Sequence, residues 1–385
     1  THPSSRFFNS FRFFSDDTSS AEEIADEDIC SQKKIAKKFS TNYTILSEES
    51  LSLKKVYVLH LANSKSFNTI AAGTSNGTVH IFDINSKRLD RKLVDDKIGY
   101  ENNALCGVKF FQDNENLFLV GSTQGIIDLY DLRSCQKEAS FEDNTDNARK
   151  PISCFDINLN SRVICAGTEQ IMSDAFLLFF DIRQKTLLGG YWESHQDDIT
   201  AVKFHDINPD RLCTGSTDGL INIFDIAQPE EDDALQTVIN TESSVQKLSW
   251  HKEPNQKDLI SCITHTNDLK LFDAEGDVYV ELSREEVTGA MKRKSVNDCA
   301  LIDCHNLEDG SINLLAASNF QKGEIVRSLK ITEKTLIPYA NFEGNKQIIR
   351  ESIYDVKSDL LVTAGEGGIV TLWTSKEYFK KQITY

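Results

Sequence analysis

The chain has 385 residues, and 42 Lys and Arg against 59 Asp and Glu give it a formal net charge of −17. This charge has the wrong sign for a protein that wraps nucleic acid, and it argues against direct nucleic-acid binding. The longest uncharged apolar run, residues 175–180, falls far short of the ~18 residues that a membrane helix needs, which argues against a membrane protein. The nine cysteines form no CxxC pair, which favours reduced, buried thiols and an intracellular protein, cytoplasmic or nuclear.

The first 39 residues differ in composition from the rest of the chain. Residues 1–15 contain two arginines, five phenylalanines and no acid, which is compatible with either a targeting segment or a leader sequence. Residues 16–38 are polar, with an acidic half followed by a lysine-rich half. Such a segment is too poor in apolar residues to pack a core. We therefore predict a flexible tail over residues 1–39, disordered or loosely helical, ahead of one folded domain over residues 40–385.

A repeated unit follows this tail. It consists of small residues, a turn with Gly, and an apolar-polar-apolar run that ends in an aromatic residue and Asp. The clearest copies are IAAGTSNGTVHIFD at 70–83, FLVGSTQGIIDLYD at 118–131, ICAGTE and DAFLLFFD within 164–181, and LCTGSTDGLINIFD at 212–225; weaker ones lie at 259–273, 314–330 and 361–374. The aromatic position, which is Ser328 in the sixth copy, recurs every 44 to 56 residues. This period is typical of propeller blades with four short strands.

The pattern within each copy predicts a β-hairpin. Apolar residues such as Val79 and Ile81 recur at the i, i+2 spacing of a pleated strand. The glycines at 77, 125 and 219 follow a polar residue between two apolar runs, and a tight hairpin turn needs the positive φ that Gly adopts easily. A further apolar run precedes each hairpin and predicts a third strand, and segments such as 88–94 are available for a fourth.

This unit resembles the WD repeat, with another aromatic residue in place of the usual Trp. The corresponding dipeptides are Phe82-Asp83, Tyr130-Asp131, Phe180-Asp181, Phe224-Asp225 and Phe272-Asp273. Seven copies over roughly residues 40–380 imply an all-β fold, a seven-bladed WD-repeat β-propeller. Either the segment 39–46 or residues 378–383 would complete the last blade and close the ring.

A narrower resemblance lies in the third and fourth copies together with the acidic run at 230–235. These segments, in this order, are similar to a group of intracellular WD-repeat proteins tied to nuclear or nucleolar assembly such as ribosome biogenesis. The resemblance implies a non-catalytic scaffold whose partners are other proteins.

In the WD family a His, a Ser or Thr, an Asp and the Trp indole share a hydrogen-bond network. His195, Ser216 and Asp218 match it in the fourth copy, which implies a structural role for these residues. Phe224 has no donor, so we expect this network to be cut short or closed by water, at a cost of about 1 kcal/mol per missing bond. A proton-transfer role for His195 beside two following aspartates is the less favoured alternative.

In two copies of the repeat, an arginine lies two residues after the Asp of the dipeptide. Asp131 and Arg133, and likewise Asp181 and Arg183, resemble the WDxR box of substrate receptors for cullin-4 ubiquitin ligases. An arginine at this position can make a planar, bidentate contact with a partner's carboxylate. Alternatively, it pairs with the Asp of its own blade. The four residues are therefore candidate partner-binding residues, and a ubiquitin-ligase substrate receptor is the alternative function.

Motifs of catalysis and of cofactor binding are missing from the sequence. It contains no HExxH, GxxxxGK[ST] or GxGxxG, and its GxSxG at 73–77 falls in a predicted hairpin. Cys299 and Cys304 are five residues apart, so on a strand their thiols would point to opposite faces and share no ion. A catalytic centre in the propeller channel would need converging polar side chains, which we do not expect. We predict that the protein is not an enzyme and that it has no catalytic residue, cofactor, metal or small-molecule substrate.

The loops are where partner binding is expected, since a propeller presents them on two faces of a rigid ring. Candidate segments are the insertion at 169–173 and the connectors at 142–150 and 275–297. The acidic run at 230–233 is either a solvated turn or a site for a basic partner. Lys292, Arg293 and Lys294 form a nuclear import patch, a contact for RNA or, as we favour, a solvated loop between blades.

Overall fold

The structure, a computed structural model, describes residues 26–52, 55–92, 98–100, 103–145, 149–252, 257–332 and 334–375. These residues form five separate four-stranded sheets and one eight-stranded sheet. Three short α-helices accompany them, namely α1 (Gln32–Lys38), α2 (Glu231–Ala234) and α3 (Arg284–Met291), and a 3-10 helix spans Phe320–Gly323. None of these helices has the length and apolar character needed to cross a membrane.

Each separate sheet is one blade, an antiparallel meander whose strands follow one another in sequence. Blade 1 holds β2–β5 (Val58–Asn63, Thr69–Thr74, Val79–Asn85, Arg88–Arg91), blade 2 β6–β9 (Leu105–Phe110, Leu117–Ser122, Ile126–Asp131, Gln136–Glu142), blade 3 β10–β13 (Ile152–Ile157, Val163–Thr168, Leu177–Asp181, Thr186–Tyr191), blade 4 β14–β17 (Ile199–Phe204, Arg211–Ser216, Leu220–Asp225, Leu235–Asn240) and blade 5 β18–β21 (Val245–Lys252, Asp258–Thr264, Leu269–Asp273, Val278–Leu282). The repeated units of the sequence are therefore blades, as predicted.

The eight-stranded sheet joins two further blades. Blade 6 holds β22–β25 (Cys299–Asn306, Ile312–Ser318, Ile325–Thr332, Thr335–Phe342), and blade 7 holds β26–β28 (Ile349–Asp355, Leu360–Gly365, Ile369–Ser375) with β1 (Thr41–Ser50) as its outer strand. The first strand of each blade contacts the first strand of the next, and β26 contacts β2. The ring of seven blades is therefore closed.

Closure uses the N-terminal strand. β1 runs antiparallel to β28, from Tyr43 opposite Ser375 to Ser50 opposite Ile369, and its first residues also pair in parallel with β25. The Tyr43 ring stacks on Phe342 with 4.7 Å between ring centroids, and its hydroxyl donates to Asp359 at 2.9 Å. Of the two closures that the sequence left open, the structure has the one through residues 39–46; residues 378–383 lie outside the described part of the chain.

Glycine permits the tight turn inside each of the clearest hairpins. Gly77, Gly125 and Gly219 have φ values of 84°, 84° and 85°. A residue with a Cβ rarely adopts this conformation, so the same turn chemistry recurs in three blades. The GxSxG sequence lies in the first of these turns, between two strands, and lacks the strand-to-helix geometry that a nucleophilic serine needs.

The core is divided among the boundaries between blades. Seven clusters of buried apolar side chains fill the seven boundaries, including the one between blades 7 and 1. The aromatic residue of the repeat enters these clusters in six blades: Phe82, Tyr130, Phe180, Phe224, Phe272 and Trp373 are buried. Blade stacking therefore buries the apolar faces that a single blade would leave exposed.

Residues 26–39, which the sequence assigns to the tail, pack against blades 5 and 6. Ile35 and Phe39 are buried in the cluster between these blades, and Phe39 lies under the Arg327 guanidinium. The side chains of Asp26 and Asp28 bind Arg293 and Arg327. Two apolar residues suffice because ion pairs supply the remaining contacts. The rest of the predicted tail, residues 1–25, lies outside the described residues.

The meander places the connections on two faces. Because antiparallel strands reverse direction at each turn, the turn between the second and third strands and the connection between blades share one face, which we call the upper face. One backbone hydrogen bond links these two segments at each blade. Its donors are Ser75, Thr123, Glu169, Thr217, His265, Asn319 and Glu366. The turns between the first and second and between the third and fourth strands form the lower face.

Candidate functional site

Asp131 and Arg133 lie in the turn after the third strand of blade 2, on the lower face. The Arg133 Nη2 donates to Asp131 Oδ2 at 2.6 Å, and its Nε lies 3.1 Å from Oδ1. These bonds lower the pKa of the Asp131 carboxyl group below its usual value. The arginine side chain is 69% exposed. The guanidinium therefore makes its bidentate contact within its own blade while one side of it faces solvent.

Asp181 and Arg183 occupy the corresponding turn of blade 3, with a different hydrogen-bond pattern. The Asp181 Oδ1 accepts from the backbone N–H groups of Arg183 at 2.7 Å and Gln184 at 2.8 Å. The Arg183 side chain is exposed. Asp181 therefore caps the turn through backbone donors. The Arg183 guanidinium faces solvent, whereas that of Arg133 is bonded to the Asp of its own blade.

His195 and Asp218 form the expected structural pair in blade 4. The His195 Nδ1 lies 3.1 Å from Asp218 Oδ2, and its Nε2 lies 2.8 Å from the Thr214 hydroxyl. Burial raises the pKa of Asp218. The hydrogen bond and charge of His195 and the backbone donors of Leu220 and Gln196 lower it by more, so the pKa lies below its usual value. Both ring nitrogens of His195 are therefore engaged by protein side chains.

Ser216 belongs to this network through a different contact from the one expected. Its hydroxyl accepts from the Asp218 N–H at 3.1 Å and donates to the Asp197 carbonyl at 3.0 Å. Thr214, two residues earlier on the same face of β15, occupies the place beside the histidine. Asn222 donates to Ser194 O at 2.7 Å and lies 3.3 Å from the histidine ring. Phe224 offers no donor to this network, and the neighbours of the His195 ring are the side chains of Thr214, Asp218 and Asn222.

The cysteines at 299 and 304 are buried, but the predicted alternation between them is wrong. Both enter the cluster between blades 5 and 6, because the pairing of β22 with β23 shifts register between Leu301 and Asp303. A bulge adds one residue and reverses the alternation. Burial raises the pKa of both thiols, which is typical of cysteines that pack as apolar residues. Within the described ranges no group of three or more His, Cys, Asp or Glu is arranged to hold a metal ion.

The central channel is more polar than expected. A cavity of about 220 Å³ is lined by the first strands of all seven blades, and Lys109, Lys203, Lys247, Asp303 and Glu351 face it. A sequence signal exists for two of them, because Val-Lys-Phe occurs at 108–110 and again at 202–204. A lysine that recurs at the same position of an otherwise apolar strand in two blades indicates that this position faces the axis shared by the blades.

The thiols and the histidine that line this channel are not activated. Burial raises the pKa of the Cys154 thiol to about 12, so the sulfur keeps its proton at neutral pH. Burial lowers the pKa of His60 to about 4, and its Nε2 lies 3.0 Å from the Leu105 carbonyl. The histidine is therefore neutral and occupied by a backbone contact, and it is not placed as a general base for the thiol.

A second polar feature lies at the outer edge of blade 4, and we call residues 192–194 and 230–233 the blade 4 edge. The Glu231 carboxylate accepts from the backbone N–H groups of Trp192 at 2.7 Å, Glu193 at 3.0 Å and Ser194 at 2.8 Å. Trp192 is 53% exposed. The sequence reveals the acidic run but not Trp192. Nothing in the segment around Trp192 indicates that it lies next to residues that begin 38 positions later.

The blade 4 edge carries a dense negative charge. The side chains of Glu193, Glu230, Asp232 and Asp233 are exposed. The Glu231 contacts hold two segments from different blades together, since residues 192–194 follow the last strand of blade 3 and residues 230–233 belong to a connection within blade 4. The backbone of Trp192, whose side chain is exposed, is thereby bonded to a segment that carries three exposed carboxylates.

Comparison with known proteins agrees with this architecture. The family model "WD domain, G-beta repeat" matches residues 186–225, which span the last strand of blade 3 and three strands of blade 4. The "WD repeat-containing protein 89 homolog" of Dictyostelium discoideum is 24% identical over 338 residues, which are 87% of this chain and 88% of that protein. By its fold and by these similarities the chain resembles the WD-repeat β-propellers. The narrower resemblance noted in the sequence agrees with this relative, since it concerns WD repeat-containing protein 89.

Other similar proteins carry the same family name. An uncharacterized WD repeat-containing protein of Saccharomyces cerevisiae is 26% identical over 321 residues, covering 80% of this chain and 76% of the yeast protein. A chain in a crystal structure of the mitotic checkpoint complex superposes with a TM-score of 0.61 at 15% identity, covering 82% of this chain and 86% of that one. This last similarity concerns the fold alone.

Proposed function

We propose that this WD-repeat protein is a non-catalytic scaffold that binds a basic segment of another protein at the blade 4 edge. The observation that carries the proposal is the position of Trp192, which the Glu231 hydrogen bonds hold beside exposed carboxylates. The absence of an activated thiol or histidine in the described part of the channel supports a scaffold without catalysis. The closed ring supplies the rigid support.

The chemistry of the edge favours a segment rich in arginine or lysine. A guanidinium or ammonium over the indole face gains a cation–π interaction of about 0.5–2 kcal/mol. Neighbouring cations of the same segment would meet Glu230, Asp232 and Asp233, and the net charge of −17 would speed their encounter.

A partner of this kind fits work in nuclear or nucleolar assembly such as ribosome biogenesis. Basic arms are typical of proteins that bind nucleic acid, and a scaffold with an acidic edge would hold such an arm before its nucleic acid is available. The resemblance to WD repeat-containing protein 89 supports this role, and it supports an intracellular site of action in the nucleus or cytoplasm.

Titration of a fluorescent Arg-rich peptide, followed by anisotropy, tests the proposal. We expect saturable binding to the full chain that weakens as salt rises, because exposed charges are screened. Trp192→Ala should weaken binding by about threefold or more, the equivalent of a modest cation–π contact. Asp232→Asn/Asp233→Asn should reduce both the affinity and its salt dependence.

Controls of the same chemistry are available elsewhere on the surface. Val278 is an exposed apolar residue on the outer strand of blade 5, and Glu308 is an exposed acid in a turn of blade 6. Val278→Ala and Glu308→Gln should leave peptide binding unchanged. Equal loss of affinity in the edge variants and in these controls would show only a general charge attraction and would refute the edge as the site.

A second candidate, a substrate receptor of a cullin-4 type ubiquitin ligase, would use Asp131, Arg133, Asp181 and Arg183. Both arginines are exposed, and both turns lie on the lower face in adjacent blades, so one partner surface can reach them together. Because none of these four residues belongs to the blade 4 edge, this function and a bound basic segment are compatible.

Capture of the purified ligase adaptor subunit tests this second candidate. Arg133→Glu/Arg183→Glu should abolish capture without lowering the melting temperature. Arg88 is an exposed arginine on the outer strand of blade 1, and Arg88→Glu should capture as wild type does. Capture that survives the double charge reversal, or wild-type protein that captures nothing, would remove this candidate.

A further inference from the structure

The central channel contains a cluster of lysines whose charges are not fully compensated. Lys109, Lys203 and Lys247 project from the first strands of blades 2, 4 and 5 into the same cavity of about 220 Å³. Lysine side chains are seldom placed around an enclosed space, because removing each ammonium from water is costly unless it is paired. The partners of each lysine therefore decide what the channel can hold.

Two of these lysines have carboxylate partners. The Lys109 Nζ lies 3.0 Å from Asp156 Oδ1, whose other oxygen accepts from the Phe204 N–H at 2.9 Å. The Lys247 Nζ lies 3.2 Å from Asp303 and 3.0 Å from Glu351. It also donates to the Arg350 carbonyl at 3.1 Å. These two ammonium groups are largely satisfied by the protein.

Lys203 is different. Among the residues that the structure describes, no carboxylate oxygen lies within ion-pair distance of its Nζ. The positive charge of Lys109, followed by burial, lowers the pKa of Lys203, although the aspartates and Glu351 at longer range act in the opposite direction. Of the three ammonium groups that face this cavity, those of Lys109 and Lys247 have an adjacent carboxylate, and that of Lys203 has none among the described residues.

Glu351 is the second carboxylate beside Lys247. Burial raises its pKa above the usual value in spite of the Lys247 charge. Water reaches the cluster, since the side chains of Lys109 and Lys247 are 28% and 23% exposed. The space near Lys203 is therefore open to a small solute.

We propose that the channel binds a small oxyanion of the phosphate class, held by Lys203 and Lys109. The oxygens of such an ion would accept from both ammonium groups and relieve their repulsion. The cavity is smaller than the 300–1,000 Å³ typical of sites for drug-sized ligands, which favours a free ion over a large phosphorylated molecule. This site lies on the ring axis and is separate from the blade 4 edge.

Thermal unfolding of the full chain with increasing inorganic phosphate tests the proposal, against sodium chloride of equal ionic strength. An ion that binds the native state raises the melting temperature in a saturable way. Calorimetric titration of phosphate gives the stoichiometry, for which we expect one. Lys203→Gln should weaken phosphate binding about tenfold or more, the loss of one charge-assisted contact.

Lys203→Gln should also change the melting temperature in the absence of phosphate, in a direction that a merely structural lysine would not show. Without phosphate, Lys203→Gln should melt at or above the temperature of wild type, because the repulsion with Lys109 is gone. Lys185, an exposed lysine on the lower face of blade 3 that donates to the Glu138 carbonyl, provides the control. Lys185→Gln should bind phosphate as wild type does.

Three outcomes would overturn the proposal. The first is wild-type protein whose melting temperature responds alike to phosphate and to chloride. The second is Lys203→Gln that binds phosphate as tightly as Lys185→Gln does. The third is Lys203→Gln that unfolds at a lower temperature than wild type without phosphate, since this would reveal a partner for the ammonium within the protein.

Discussion

Arg293 donates from Nε to Asp26 Oδ2 at 2.9 Å, and this bond joins two residues 267 positions apart. Their side chains are 7% and 0% exposed. The same guanidinium donates to Asp28 at 3.1 Å and to the Asp26 carbonyl at 2.6 Å, and Ser318 completes the group through a 2.5 Å bond to Asp26. The loop that contains Arg293 is therefore a docking site for the segment ahead of the ring, and not the solvated loop favoured from the sequence.

Breaking this buried pair should destabilise the protein strongly. Asp26→Ala leaves the Arg293 guanidinium buried without its main partner, and such a loss costs about 3–5 kcal/mol. Urea unfolding of the full chain measures the change. Lys294→Ala is the matched control, because the Lys294–Glu27 pair next to it has side chains 48% and 64% exposed, and exposed pairs contribute about 0–1 kcal/mol. Equal effects of the two variants would contradict the docking contact.

The same contacts predict a loss of stability in acid. Burial raises the pKa of Asp26, but hydrogen bonds from Ser318, Ser295 and Arg293 outweigh it, and the net pKa of Asp26 lies below its usual value; the pKa of Asp28 is lowered likewise by Arg327 and Arg293. A carboxyl group whose pKa is lower in the folded state stabilises the fold above its unfolded pKa of about 3.9, and this contribution disappears as the pH falls through the folded value.

Unfolding free energies measured between pH 6 and pH 3 test this expectation. Wild-type stability should fall below about pH 4, and the fall should be shallower in Asp26→Asn/Asp28→Asn, which cannot titrate at these positions. A variant that loses stability as steeply as wild type would assign the acid sensitivity to other carboxyl groups.

Blade 7 has Trp373 at the aromatic position of the repeat, where the other blades have Phe, Tyr or Ser, and this indole forms a hydrogen bond. The Trp373 Nε1 donates to the Thr363 hydroxyl at 2.8 Å, and both residues are fully buried. Trp373→Phe removes the donor and leaves a buried hydroxyl unpaired, so we expect a loss of about 1–3 kcal/mol. A double-mutant cycle with Thr363→Val should show a coupling of about 1 kcal/mol. Strictly additive effects would mean that the bond contributes nothing.

Two glycines should respond to alanine with opposite signs. A Cβ on Gly121 would lie 2.5 Å from Cε1 of Phe155 in the neighbouring blade, and such overpacking costs about 1–3 kcal/mol. Around Gly289, in helix α3, a Cβ would meet no heavy atom within 4 Å from other parts of the described structure. Gly289→Ala should therefore stabilise by about 0.5–1 kcal/mol. Chemical unfolding of both variants checks the signs.

Much of the fold could be predicted because each blade repeats a local pattern. The i, i+2 apolar positions and the glycines at 77, 125 and 219 act within one hairpin, so they are readable without knowledge of the rest of the chain. Blade 6 was the weakest copy in sequence, with Ser328 at the aromatic position, yet its neighbours supply the apolar surface on both sides. Packing between blades, and not its own pattern, maintains that blade.

The candidate sites were harder to predict because they depend on contacts between distant segments. The His195–Asp218 pair was found from repeat spacing, whereas Thr214 and Ser216 share a strand face and only the path of the chain over them decides which one meets the ring. The bulge at 301–303 changed the face of Cys304, since one extra residue in a strand reverses all later positions. Spacing alone does not reveal such a residue.

By itself the sequence determined the repeated strands, the hairpin turns and the propeller class, because pleat period and glycine conformation are local properties. Only the tertiary structure decided that β1 closes the ring, that residues 26–39 dock through Asp26 and Asp28, and that three lysines converge on the axis. Strand pairing and charge compensation join residues up to several hundred positions apart, and their free energy depends on the distances and burial that folding creates.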